Sequence, residues 1–185
     1  MQKQKDGILE MTVCFIGLGY IGLPTAIISA KNGLKVVGCD INEKVVEATN
    51  AGILHFKEPG LAALLQEVVA DKRLTATIKP QVSDVYVVVV PTPFKEGHQP
   101  DISYVQSATE SVIPLLKQGD LFVIESTSPV GTTDKMANLI YARRPELRGQ
   151  ISIAYCPERV IPGNVVFELE HNDRVIGGVD DASTQ

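Results

Sequence analysis

Gly17-Leu18-Gly19-Tyr20-Ile21-Gly22 is the segment whose residue types and spacing point most directly to chemistry. It follows a β-branched apolar run and opens a helical pattern, which is the context a G-x-G-x-x-G phosphate-binding turn requires. Gly17 permits the tight turn. Gly19 lets backbone approach a pyrophosphate with no Cβ between, and Gly22 lets helix and strand pack closely. Free N–H groups at the helix start then face the phosphates, so no basic side chain is needed there. Asp40, 18 residues beyond Gly22, closes a second strand, where a carboxylate accepts from ribose hydroxyls and repels a 2′-phosphate. The pattern predicts NAD rather than NADP, with Lys35 and Lys44 as the nearby cations that oppose this preference.

Ligands of open α/β sheets bind beyond the carboxyl ends of the strands. Two such ends read Val90-Pro91-Thr92-Pro93 and Glu125-Ser126-Thr127-Ser128-Pro129-Val130-Gly131. Prolines fix the loop shapes, while Thr92 and Thr127 offer short hydroxyls to cofactor or substrate. The alternative for either threonine is a bond to its own turn. A third strand end reads Tyr155-Cys156-Pro157-Glu158-Arg159-Val160-Ile161-Pro162-Gly163. Its Glu-Arg pair is either a solvated surface contact or, in a proline-bounded loop at a strand's carboxyl end, a functional one.

These loops need a sheet to hold them. Strand patterns fall at 11–16, 35–39, 74–77, 85–90, 121–125 and 151–155, and the unbroken apolar run at 85–90 fits a central strand covered on both faces. Between strands, Leu23, Ala26, Ile27 and Ala30 form one helical stripe closed by Gly33, and Leu61, Leu64, Leu65 and Val68 form another. A third stripe runs from Asp101 as N-cap through Val105, Ala108, Val112 and Leu116, with Pro114 disturbing its last turn. The alternation predicts an α/β Rossmann-type fold, doubly wound, with a mainly parallel sheet and helices on both faces. Residues 1–10 are expected to be a flexible extension and 11–185 one NAD-binding domain. Residues 174–178 read as a strand entering a turn and 180–185 as a helix start, from which the natural polypeptide is expected to continue.

The 185 residues are 44% apolar and 21% charged, a globular composition with no low-complexity tail. A net charge of −5 argues against nucleic-acid or anionic-membrane partners. No signal peptide or long apolar run is present, so a cytoplasmic location is expected. Cys14, Cys39 and Cys156 are an odd, widely spaced set that suggests neither disulfides nor zinc; the first two read as small buried hydrophobes.

In order along nearly the whole chain, GLGYIGLP, VVGCDIN, VPTPF, PDISYV, ESTSPVGTT, AYCPERVIPG and NDRVIGG resemble the amino-terminal domain of the UDP-glucose/GDP-mannose dehydrogenase family. Within that family, YCPERVIPG is most similar to the UDP-N-acetylmannosamine dehydrogenases. The resemblance implies oxidation of a sugar C6 hydroxyl to a carboxylate by two NAD, through an aldehyde and a cysteine-bound thioester. The nucleophilic cysteine and a lysine would come from a later segment with a GGxCxPxD-like stretch, which this chain does not contain. Residue by residue, Gly17, Leu18, Gly19, Tyr20, Ile21, Gly22 and Asp40 match the cofactor fingerprint, and Thr92 and Thr127 match threonines near the NAD. Glu158, with Thr127, matches the catalytic side, ordering water and proton transfer. Arg159 and Val160 match contacts to the UDP-sugar. Members acting on UDP-glucose place a second glutamate where this chain has Pro162, which favours an acetamido sugar. The family also implies a homodimer, built through a central helix outside this chain. Three other readings stand beside it: another UDP-sugar 6-dehydrogenase, acting on UDP-N-acetylglucosamine or UDP-glucose, a 3-hydroxyacid dehydrogenase-like enzyme, and a non-catalytic NAD-binding module.

Overall fold

A computed structural model describes residues 11–161 and 163–184; the expected extension 1–10, Pro162 and Gln185 lie outside them. In chain order the elements are β1 (Thr12–Ile16), α1 (Gly22–Lys31), β2 (Lys35–Cys39), α2 (Glu43–Asn50), α3 (Leu61–Ala70), β3 (Leu74–Thr77) and β4 (Val85–Val88). Then follow α4 (Ser103–Val112), β5 (Leu121–Ile124), α5 (Thr132–Arg143), β6 (Ser152–Tyr155), α6 (Val165–His171), β7 (Gly177–Gly178) and α7 (Asp181–Thr184). The sheet order is β3-β2-β1-β4-β5-β6-β7. All neighbours are parallel except β7, which runs antiparallel on β6. This is the doubly wound Rossmann arrangement, and the order reverses between β1 and β4.

Side-chain alternation along β1 shows why both faces are covered. Val13 and Phe15 join Leu23, Ala26 and Ile27 of α1 and Leu61, Leu65 and Val68 of α3. Cys14 and Ile16 point the other way, into Val105, Ala108 and Val112 of α4 and Met136, Ala137 and Ile140 of α5. Cys14 and Cys39 are thus core residues, and burial raises both thiols, Cys39 to about 12.

Several boundaries differ from the sequence pattern for identifiable reasons. β4 stops at Val88 because the Val90 N–H is taken by the Ser126 hydroxyl (2.8 Å) just before Pro91. β5 and β6 are likewise one residue shorter, and of 174–178 only Gly177 and Gly178 pair as a strand. α4 begins at Ser103 with Ile102 at the N-cap position, although the Asp101 carboxylate still accepts from Ser103 N (2.9 Å). Pro114 falls in a 3₁₀ turn, Ile113–Leu115, that ends the helix. The pattern also misses α2, α5 and α6.

Edge strand β3 is protected by a side chain. Asn50, at the end of α2, donates to the Ala76 carbonyl (2.9 Å) and accepts from the Ala76 N–H (2.7 Å), as the peptide group of another strand would. Replacing it leaves two backbone groups on the edge without partners. Asn50→Ala is expected to lower stability by about 1–3 kcal/mol, read from urea denaturation; a wild-type midpoint would show that water substitutes fully.

Candidate cofactor and substrate site

The fingerprint turn is fixed by contacts that exclude side chains. Gly17 has φ 102° and donates to the Cys39 carbonyl at 2.8 Å. A Cβ on Gly17 would lie 2.1 Å from the Val89 carbonyl oxygen, and one on Gly22 would lie 2.0 Å from that of Gly17. Gly19 differs: a Cβ there would meet nothing within 4 Å, so its backbone is open to the cleft. α1 starts behind it with no side-chain cap and no acid in its first turn. Leu23 N is taken by the Gly19 carbonyl (3.1 Å) and Pro24 has no N–H, so the amides of Tyr20, Ile21 and Gly22 are the ones left for an anion, and the residues present fit a dinucleotide pyrophosphate.

Asp40 stands at the end of β2. One oxygen accepts from Leu18 N and the other from Asn42 N, both at 2.9 Å, which aims the carboxylate while leaving lone pairs for ribose hydroxyls. A cleft of about 670 Å³ runs from Asp40, Ile41, Ile78 and Pro80 past Gly17, Gly19, Tyr20 and Ile21 to Thr92, Glu125, Thr127 and Glu158. The cation lining its Asp40 end is Lys79; Lys35 and Lys44 do not line it. Tyr104 and Ser107 of α4 form another part of the wall that the sequence pattern gives no sign of.

Not every fingerprint residue faces this space. Leu18 is buried, with its side chain against Gly38, and reaches the site through its N–H alone. Gly22 packs behind Gly17. The Thr92 hydroxyl donates to the Thr127 carbonyl (2.7 Å), tying the β4 and β5 loops together, while Thr127 itself is exposed in the cleft. Arg159 and Val160 lie outside the cleft lining, and the Arg159 guanidinium donates to the Asp173 carbonyl (3.0 Å).

At the far end Glu158 belongs to a charge cluster. Arg174 binds Glu125 (2.8 Å) through one guanidinium nitrogen and is ion-paired to Glu158 through another. Both carboxylate side chains are only 4% exposed, and one Glu125 oxygen has no hydrogen-bond partner. Burial pushes the Glu125 carboxyl up to about 7; Arg174 pulls it down and Glu158 repels its charge. Burial likewise raises the Cys156 thiol, against the pull of Arg174, which is the reverse of what a reactive thiolate needs. Glu125 and Arg174 carry no local signal that would have placed them together, since they lie 49 residues apart.

Because the folded-state pKa of Glu125 is raised, its protonation favours the folded form at low pH. That contribution is fully present below the ordinary carboxylate pKa and is lost as pH rises through about 7. Carboxyl NMR is expected to give a Glu125 midpoint near 7 that falls in Glu158→Gln and rises in Arg174→Gln. An unshifted midpoint near the ordinary carboxylate value would contradict the burial argument.

The comparisons with known proteins agree with this geometry. Residues 11–185 match the model of the UDP-glucose/GDP-mannose dehydrogenase family, NAD binding domain. The chain is 49% identical over 176 residues to a UDP-N-acetyl-D-mannosamine dehydrogenase of Yersinia pestis, covering 91% of this chain and 42% of that protein. It is 45% identical over 176 residues to an NDP-N-acetyl-D-galactosaminuronic acid dehydrogenase of Ralstonia nicotianae, with the same coverage of 91% and 42%. The structure of the UDP-N-acetyl-mannosamine dehydrogenase from Staphylococcus aureus superposes with a TM-score of 0.89 at 39% identity, covering 93% of this chain and 42% of that one. The chain thus spans well under half the length of these relatives. It belongs to the UDP-glucose/GDP-mannose dehydrogenase family, as its NAD-binding domain.

Proposed function

We propose that this domain serves a nucleotide-sugar 6-dehydrogenase that oxidises UDP-N-acetylmannosamine to UDP-N-acetylmannosaminuronate with two NAD, acting in the cytoplasm as a homodimer in surface-polysaccharide synthesis. The observation that carries the reading is one cleft that joins the Gly17–Gly22 turn and Asp40 to Thr127 and Glu158, in a chain about half identical to enzymes of that name. NAD supplies the hydride acceptor when bound. The chain's own residues hold and orient: the Gly17–Gly22 turn with its backbone, Asp40 at the ribose, and Thr92 and Thr127 at the strand ends. Glu158 orders water and moves a proton during thioester hydrolysis. Arg159 and Val160, on the same loop, contact the nucleotide-sugar.

The Ralstonia relative supports a second reading in which the acetamido sugar is another epimer. A panel of UDP- and GDP-sugars with the full-length protein separates the two, and the first reading predicts that kcat/KM for UDP-N-acetylmannosamine exceeds that for UDP-glucose at least tenfold. A preference for UDP-glucose would overturn both.

Residues 1–185 alone are expected to bind NAD but to form no NADH with any of these sugars. Oxidation to the acid needs a thiolate to trap the aldehyde, and Cys14, Cys39 and Cys156 are all held as thiols by burial. Sustained NADH formation by the repurified domain would show that the catalytic machinery lies elsewhere than proposed.

Asp40 predicts cofactor choice. Calorimetry on the domain is expected to give tighter binding of NAD than of NADP, with Asp40→Ala narrowing the difference; equal affinities in the wild type would refute the role given to its charge.

A further inference from the structure

Glu58 lies between α2 and α3, outside the cofactor cleft, and is 6% exposed. Both of its oxygens are used by distant parts of the chain. One accepts from Val165 N (2.9 Å); the other accepts from Gly163 N (3.0 Å) and from the Tyr20 hydroxyl. Gly163 N also approaches the Tyr20 oxygen at 3.1 Å, and the Tyr20 ring packs on Phe56 with centroids 4.9 Å apart. Three segments therefore meet at one buried carboxylate: the dinucleotide turn at Tyr20, the loop at Glu58, and the stretch that follows Glu158 and Arg159.

We propose that Glu58 is a positioning residue that couples the dinucleotide turn to the loop carrying Glu158 and Arg159, so that cofactor binding orders that loop. Tyr20 lines the cleft on the turn that meets the pyrophosphate. A ligand that immobilises the Gly19-Tyr20 backbone also immobilises the phenol, the carboxylate bonded to it, and the two amides bonded to the carboxylate. Bonds to an ionised acceptor are strong, and in a buried setting water does not replace them readily. Burial by itself would raise the Glu58 carboxyl; the donors at Tyr20, Val165 and Gly163 outweigh it and hold the group below the usual carboxylate range, ionised at neutral pH. By reciprocity, an ordered loop must raise the affinity for the dinucleotide.

Amide hydrogen exchange on the 185-residue chain, with and without NAD at saturation confirmed by calorimetry, tests the coupling. In the wild type NAD is expected to slow exchange both at 17–23 and, about tenfold, at 158–170. Tyr20→Phe, which removes one hydroxyl, keeps the first protection and loses the second. Glu58→Gln does the same and weakens NAD binding about fivefold, although the residue does not line the cleft. A purely architectural role for Glu58 would speed exchange at 158–170 equally with and without NAD, leaving the protection ratio unchanged, and would overturn the proposal. So would an absence of NAD-dependent protection at 158–170 in the wild type. Should Glu58→Gln fail to fold, Tyr20→Phe retains the carboxylate and decides the matter alone.

Discussion

Between the Cα of Gly17 and the carbonyl of Val89 there is no room for a side chain, since a Cβ would lie 2.1 Å from that oxygen. This contact presses the turn after β1 against the end of β4, at the place where the strand order reverses. It also directs α1 away from the sheet edge, so that the uncapped start of the helix looks into the crevice between β1 and β4. Gly22 adds the same restriction one helical turn later, against Gly17 itself. Gly17 lines the cleft, while Gly22 packs behind it. They set the distance at which Gly19, where a Cβ would meet nothing within 4 Å, presents its backbone to the cleft.

A second restriction acts on the carboxylates. Asp40 is oriented by two backbone amides, Glu58 by two amides and a phenol, and Glu125 and Glu158 by one shared guanidinium. In each case a buried or half-buried carboxylate meets at least one donor from a distant part of the chain, the condition under which its position is well defined. The acidic balance of the protein is no obstacle to an anionic ligand at the start of α1, which has no acidic residue in its first turn and offers backbone N–H groups instead.

How much of this was legible in the sequence depended on the range of the interaction. The Gly17–Gly22 turn, Asp40 and the stripes of α1 and α3 are local patterns, and they fold as they read. The helix α2 escaped because only Val46 and Thr49 of its eight residues are buried, too narrow a stripe to register, although Asn42 capping Lys44 N was a usable signal. In α5 the stripe of Met136, Ala137, Ile140 and Tyr141 is diluted by polar and charged neighbours. Leu18 meets Asp40 through its N–H, while its side chain fills the space above Gly38, a direction that alternation at a turn does not reveal. Glu58, Glu125 and Arg174 were invisible for a different reason. Their partners lie from 16 to 107 residues away, so nothing in the adjacent sequence marks them.

Those long-range pairs give the loop after β6 its character. Near its start, Glu158 is held to Arg174, which is itself anchored on Glu125 at the end of β5. At its far end, Gly163 and Val165 are held by Glu58. Arg159 and Ile161 between them are exposed. The segment is thus pinned at both ends by buried charge, and between them Arg159 donates to the Asp173 carbonyl and Ile161 N to Glu168. Without Arg174, two buried carboxylates would face each other with no cation, and one would have to take up a proton or leave the site. The place of Glu158 in the structure is thus set by Arg174, through a pairing that neither residue's neighbours in sequence supply.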